Sequence, residues 1–241
     1  MCTVTIIPNG KNNFILTSNR DEAPQRISLP PDFYNINNTT LLFPKDKESG
    51  GSWIGISEKN RVVCLLNGAF EKHKRKETYK QSRGVVVKDF MLADSLEYIM
   101  ESYNFEDIEP FTMVLADWNN HLKFFELVWD GKKKYVKQLP LEANIWSSST
   151  LYDDAMKQER LSWFHNFKKE YNLNADSLLE FHKTAGKGNL DYGVLMDRGF
   201  VKTTSITQIK KYDDFLEMHY ESLQNQTVSN KIFNLSETVN D

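Results

Sequence analysis

Apolar residues along this chain recur mostly in short alternating runs separated by turns, a pattern that predicts β-strands joined as hairpins. The first run, residues 3–7, leads into the turn Pro8-Asn9-Gly10 and a second run at 14–17. This hairpin is expected to bring the polar segment 19–22 back beside the start of the chain.

Helical spacing is confined to three segments. One covers 82–103 with a break at Asp94-Ser95, one begins after Asp153 or Asp154, and a short one covers 176–184. Strands are expected at 40–43, 53–57, 61–66, 111–116, 122–129, 135–139, 144–146, 200–207 and 215–220.

The order of these elements favours two mainly antiparallel sheets with helices packed outside, rather than a doubly wound parallel sheet. We expect one α+β domain over residues 1–223. The proline-rich segment 23–47 is expected to be surface loop apart from its one short strand, and 224–241 a poorly ordered polar tail.

Composition excludes several classes of partner. The chain has 241 residues with 30 basic and 33 acidic side chains, so no overall field favours nucleic acid or anionic membrane. No apolar run reaches the roughly 18–20 residues that span a bilayer, and the histidines are scattered, so we expect no membrane span, metal or cofactor. The two cysteines are too few for a disulfide framework, which favours a cytoplasmic protein.

Cys2 is the first candidate for chemistry. Removal of Met1 would leave a thiol and an α-amine on one residue, and an α-amine with a pKa near ~7.7–8.0 can act as base toward that thiol. A chance cysteine is the alternative. The hairpin is expected to bring Arg20 and Asp21 to the same end. The alternative is that these two residues simply pair with each other or tie down the terminus, and an exposed pair contributes only ~0–1 kcal/mol.

Asn67-Gly68 follows the apolar run 61–66 and has two interpretations. The pair is typical of a turn, but an amide side chain and a glycine N–H are also what an oxyanion hole requires. Cys64, within the same run, is interpreted as a small core side chain.

Two further segments have open interpretations. The basic stretch 72–80 is expected to be a solvated loop, with anion recruitment at a site mouth as the alternative. Gly50-Gly51, before an aromatic strand, suggests a bulge or a close approach of backbones.

Several motifs, taken in order, resemble the NRDE family, which is the family of the transport-and-Golgi-organisation 2 proteins. They are Met1-Cys2, Ser18-Asn19-Arg20-Asp21-Glu22, Gly50-Gly51-Ser52-Trp53-Ile54-Gly55-Ile56-Ser57, Leu66-Asn67 and Ser82-Arg83-Gly84. The similarity runs from Cys2 to about Leu223. That family in turn resembles the N-terminal-nucleophile (Ntn) hydrolases, which implies a four-layer αββα sandwich.

The resemblance also implies a set of site residues for cleaving an amide C–N bond. Cys2 is implied as the nucleophile, with Asp21 positioning its amine, Arg20 beside the thiol, and Asn67 with the Gly68 N–H at the oxyanion. Substrate binding is assigned to Asn19, Gly68, Ser148 and Lys202. The last two stand where the family usually has asparagine and arginine, so an amide donor and a planar guanidinium are replaced.

Two functions follow as hypotheses. The first is a cysteine amidohydrolase acting on a small linear or acyl amide. The second keeps the fold without the chemistry: a binding or trafficking protein for a hydrophobic anion such as haem or acyl-CoA, supported by the basic stretch and the 12% aromatic content. Either ligand is a small molecule, and the oligomeric state stays open.

Overall fold

The computed structural model describes residues 3–235, which form thirteen strands and four helices. The strands are β1 (Thr3–Pro8), β2 (Phe14–Glu22), β3 (Ser28–Ile36), β4 (Thr39–Asp46), β5 (Ile54–Ser57), β6 (Arg61–Asn67), β7 (Phe111–Asp117), β8 (Lys123–Trp129), β9 (Lys134–Leu139), β10 (Asn144–Ser147), β11 (Lys202–Lys211), β12 (Phe215–Ser222) and β13 (Thr227–Asn234). The helices are α1 (Arg83–Leu92), α2 (Leu96–Ser102), α3 (Asp154–Glu170) and α4 (Ala175–Thr184).

The strands form two sheets in which the paired strands run antiparallel. The first sheet has the order β10-β1-β2-β11-β12-β13 and the second the order β3-β4-β5-β6-β7-β8-β9. The predicted first hairpin is confirmed: β1 pairs with β2 from Thr3 opposite Asn19 to Pro8 opposite Phe14.

Three apolar cores define four layers. Val4 and Leu16 of the first sheet pack with Val62 of the second in a core between the sheets. The outer face of the second sheet is covered by α1 and α2 through residues such as Phe90, and the outer face of the first by α3 and α4 through residues such as Phe164. The αββα sandwich of class α+β is therefore confirmed.

The short strand expected at 40–43 is confirmed as part of β4, but the prediction of a loop for the rest of 23–47 is wrong where β3 forms and pairs with β4. The prolines of this segment suggested a loop, but Pro30 and Pro31 fall at a register shift in β3, between Leu29 and Asp32. Proline is tolerated at such a bulge and on an edge strand, and β3 is the edge strand of the second sheet.

The prediction of a poorly ordered tail is wrong for 227–234, which form β13 and pair with β12 along its whole length. The strand is half-exposed at the edge of the first sheet, so its sequence is largely polar, yet Phe233 is buried in the core between the sheets. Residues 236–241 of the predicted tail lie outside the described residues.

None of the four helices between residues 3 and 235 is long and apolar enough to cross a membrane. In the same part of the chain, no group of three or more His, Cys, Asp or Glu side chains is placed to hold a metal ion.

A buried histidine joins the helix layer to the first sheet. His182 on α4 is fully buried; its Nδ1 bonds to Asn19 Oδ1 at 2.7 Å and its Nε2 to Thr5 Oγ1 at 2.9 Å. Because the Asn19 oxygen can only accept, Nδ1 carries a proton. Burial lowers the pKa of His182 to about 3, so the ring is neutral near pH 7 and Nε2 accepts from the threonine hydroxyl.

We predict that the free energy of unfolding falls as the pH drops below about 6.5, the usual pKa of an unfolded histidine. Since the folded pKa of His182 lies near 3, the unfolded chain binds the extra proton in between, which costs about 2 kcal/mol from pH 7.5 to 5. Urea unfolding at both pH values measures this difference. His182→Gln should remove most of it, whereas His121→Gln, at an exposed position, should leave it in place.

Candidate active site

The start of β1 is held firmly at the edge of the space between the sheets. Thr3 is fully buried and lies between Asn19 of β2 and Ser147 of β10. Its hydroxyl accepts a 2.8 Å bond from the guanidinium of Arg160 on α3. Cys2 itself lies outside the described residues.

Arg20 points toward the second sheet. Its guanidinium bonds to Asp46 at 2.7 Å and to Glu22 at 3.3 Å, and lies 4.5 Å from the centre of the Trp53 ring. Burial lowers the pKa of Arg20, while the charges of Glu22 and Asp46 oppose that shift. The side chain is thus a desolvated cation held by two carboxylates.

Asp21 makes contacts on the opposite face of β2, as expected for consecutive residues of a strand. Its Oδ1 accepts a 2.6 Å bond from the Thr203 hydroxyl and its Oδ2 a 2.8 Å bond from the Tyr152 hydroxyl. Arg20 and Asp21 therefore have different partners, which removes the alternative in which the two simply pair with each other.

Asn67 ends β6 in the second sheet and lies half-buried beside the first sheet. The Ser148 hydroxyl donates a 2.6 Å bond to the Asn67 backbone carbonyl, which ties the two sheets together at this point. The chain then turns at Gly68 with a φ of +83°, where a Cβ atom would lie 3.1 Å from the Thr150 nitrogen. Only glycine fits this turn without strain.

Arg20 and Asn67, from different sheets, line one pocket of about 310 Å³. Most of its lining is charged or polar, with apolar surface supplied by Trp53 and Leu65. The charged side chains are Arg20, Arg26, Arg75, Arg83, Glu22, Asp46, Glu77 and Glu109.

One wall of the pocket is backbone. Gly51 packs against Gly84 in the first turn of α1, and a Cβ atom on Gly51 would lie 2.9 Å from the Gly84 Cα. This contact confirms the close backbone approach expected at Gly50-Gly51. It also places the start of α1 at the pocket.

The basic stretch 72–80 lies at the mouth of this pocket. Arg75 lines it, and the stretch is fastened by His73 and Arg75, whose nitrogens lie 3.3 and 3.7 Å from Glu109 Oε1. Lys76 is paired with Asp107 at 2.8 Å. The stretch is largely exposed, as expected of a solvated loop, with these ion pairs fastening it at the rim of the pocket. Recruitment of anions there stays a prediction.

Two of the predicted ligand contacts need correction. The Gly68 N–H donates a 3.0 Å bond to the Pro110 carbonyl, so it is already committed and is not a free oxyanion donor. The Asn19 side chain is fully buried and donates to the carbonyls of His182 and Val194, at 3.0 and 2.7 Å, so its role is structural.

The other two assigned substrate contacts lie outside the lining of this pocket. Ser148 is buried, and its hydroxyl donates the hydrogen bond to the Asn67 backbone carbonyl described above. Lys202 is half-buried at the first position of β11, paired in register with Glu22.

Arg160 is the residue that sequence reasoning missed. Besides Thr3, its fully buried guanidinium donates to the carbonyls of Tyr192 and Gly193 at 2.8 and 2.9 Å, and it lies 3.7 Å from the centre of the Tyr152 ring. A signal existed, since Arg160 is four residues from both Met156 and Phe164 on the apolar stripe of α3.

The fold is that of the Ntn-type amide hydrolases, as comparison with solved structures shows. An N-acylethanolamine-hydrolyzing acid amidase ortholog from Caenorhabditis elegans aligns over 86% of this chain and 92% of that chain, with a TM-score of 0.59 and 13% identity. A variant of conjugated bile acid hydrolase from Clostridium perfringens aligns over the full length of both chains, with a TM-score of 0.53 and 11% identity. The C2A mutant of the same hydrolase gives a TM-score of 0.50 and 12% identity over 99% of this chain and 97% of that chain.

Residues 1–184 match the family described as Transport and Golgi organisation 2, and the chain belongs to that family. A mouse Transport and Golgi organization 2 homolog is 36% identical over 99 residues, and the human homolog is 32% identical over 120. These alignments cover 38% and 46% of this chain, and only 34% and 41% of the length of those relatives.

We predict that Arg160→Lys lowers the free energy of unfolding by about 2 kcal/mol or more, because one ammonium group leaves buried carbonyl oxygens without donors. Chemical denaturation measures the loss. The matched control is Lys169→Arg, at an exposed position on the same helix, which should change the stability by less than about 0.5 kcal/mol. Equal effects of the two substitutions would contradict the role of the Arg160 guanidinium in holding Thr3 and the carbonyls of Tyr192 and Gly193.

Proposed function

We propose that this protein is a cysteine amidohydrolase that cleaves the C–N bond of a small amide, with Cys2 as the nucleophile once Met1 is removed. One observation carries the proposal: Arg20 of β2 and Asn67 of β6 line a single pocket, and β1 begins one register step from Arg20. The peptide bond joins Cys2 directly to Thr3, whose position is fixed. The similarity in fold to an acid amidase and a bile acid hydrolase supports the same class of reaction.

In the proposed reaction, the Cys2 thiol gives its proton to its own α-amine and the sulfur attacks the amide carbon. The tetrahedral oxyanion accepts a hydrogen bond from the Asn67 side chain. When the C–N bond breaks, the α-ammonium returns the proton to the leaving amine and a thioester remains. Water then hydrolyses the thioester, releasing the acid and restoring the thiol.

The charged neighbours have separate roles in this proposal. Arg20, buried among its partners, favours the thiolate through its positive charge. Asp21 receives bonds from Thr203 and Tyr152, which orient the carboxylate so that it can position the α-ammonium of residue 2. Ser148 positions Asn67 through the Asn67 backbone carbonyl.

Binding of a hydrophobic anion such as haem or acyl-CoA is the alternative. The names of the curated relatives describe transport and Golgi organisation rather than a reaction, which is consistent with it. The pocket favours the amidohydrolase, because it is lined mainly by charged and polar side chains that an apolar ligand would cut off from water.

We predict that intact-mass analysis finds Met1 removed and that iodoacetamide at pH 7.5 labels Cys2 in the folded protein while sparing Cys64. Cys64 is fully buried, and burial raises the pKa of its thiol to about 12, so it should react only after unfolding. Peptide mapping before and after denaturation separates the two sites.

Substitutions of Cys2, Cys64 and Asp21 test which residue each effect depends on. Cys2→Ala should abolish both the labelling and any amidase activity, whereas Cys64→Ala should leave both in place. Asp21→Asn should slow Cys2 labelling by about tenfold or more if the carboxylate positions the amine base. Retention of Met1, or equal labelling of Cys64, would argue for the binding function instead, and saturable binding of haemin to the same protein would then support it.

A further inference from the structure

The ion pairs of the pocket are unevenly balanced. On the side formed by β2 and β4, the arginines Arg20 and Arg26 are paired with Glu22 and Asp46, and Arg26 is also paired with the exposed Glu48 at 3.8 Å. On the opposite side, Arg83 and Arg75 share one carboxylate, Glu109, at 3.1 and 3.7 Å. The second side therefore holds more positive than negative charge within its paired cluster.

Arg83 is better placed than Arg75 to bind an anion inside the pocket. Its side chain is only 17% exposed; one nitrogen donates to the Pro110 carbonyl at 3.1 Å and another pairs with Glu109. Burial lowers the pKa of Arg83, opposed by Glu109, so an additional anion in the pocket would offset its desolvation.

The first turn of α1 adds to this positive side. The pocket lining includes Ser82 and Gly84, the first turn of α1 contains no acidic residue, and the Ser82 side chain caps none of the helix N–H groups. Glu77 also lines the pocket; Glu77 and Arg75 are both exposed, so solvent screens both charges, and the buried Arg83 is the positive charge that an anion inside the pocket would meet.

The remaining lining argues against a long acyl chain. A buried methylene contributes about 0.8 kcal/mol only where it leaves water for apolar surroundings. In this pocket it would meet guanidinium and carboxylate groups instead. The volume of about 310 Å³ lies at the lower end of small-molecule pockets.

We infer that the substrate is a small amide bearing a carboxylate, and that Arg83, with Arg75 at the rim, binds this carboxylate. The inference rests on the proposed function, because it takes Cys2 to face the same pocket. The inference assigns a negative charge to the substrate, and it assigns recognition of that charge to Arg83 and Arg75.

The test compares two alkylating agents of nearly equal size, anionic iodoacetate and neutral iodoacetamide, at Cys2 of the Met1-processed protein. In either reaction the sulfur forms a bond to the CH2 carbon and iodide leaves. The ratio of the two rates is divided by the same ratio for a short peptide beginning Cys-Thr-Val, which lacks the pocket.

We predict a normalised ratio of about ten or more in favour of iodoacetate, within the range of electrostatic rate enhancement by a charged cleft. Arg83→Gln should bring the ratio close to that of the peptide. Arg75→Gln, at a side chain that is 77% exposed, should fold normally and lower the ratio partially. Lys59→Gln, which removes a positive charge from outside the pocket lining, should leave the ratio unchanged.

The outcomes separate the two proposals. A Cys2 that reacts readily with iodoacetamide but shows no preference for iodoacetate would overturn the carboxylate inference and leave the amidohydrolase intact. A Cys2 that reacts with neither agent would overturn the amidohydrolase, and the inference with it. As a second measurement, kcat/KM for N-acetylglycine should exceed that for N-ethylacetamide by about tenfold or more, and the reverse order would count against the inference.

Discussion

The hydrogen bonds of the Arg160 guanidinium hold together parts of the chain that are far apart in sequence. They join the first residue of β1 to β10, to the carbonyls of Tyr192 and Gly193, and to α3 itself. A buried cation costs several kcal/mol unless its donors are satisfied, and here neutral oxygens and the Tyr152 ring satisfy them. The start of β1 at Thr3 depends on these bonds.

The strands and helices could largely be predicted from the sequence where the pattern was local. The first hairpin followed from alternation and a Pro-Asn-Gly turn, and α3 begins as expected, with Asp153 accepting a bond from the Met156 N–H. The strand β3 was missed because Pro30 and Pro31 sit at an edge bulge, a context that local propensity does not reveal. The strand β13 was missed because an exposed edge needs few apolar residues.

The candidate site was less predictable, because its bonds join distant residues. Nothing near Asn19 in sequence indicates that its amide is used by His182 and Val194, more than 160 positions away. Likewise, the Gly68 N–H could be assigned to an oxyanion until its bond to the Pro110 carbonyl was seen. Arg160 was missed because arginine rarely lies on the buried face of a helix.

The contact between Gly51 and Gly84 has a consequence for how the pocket can change over evolution. A wall made of backbone at this spacing admits no side chain, so substitutions there disturb the fold before they alter recognition. New specificities can come instead from side chains between positions 75 and 82, which line the pocket without belonging to any strand or helix. The pocket thus combines a fixed backbone contact with side chains that are free to vary.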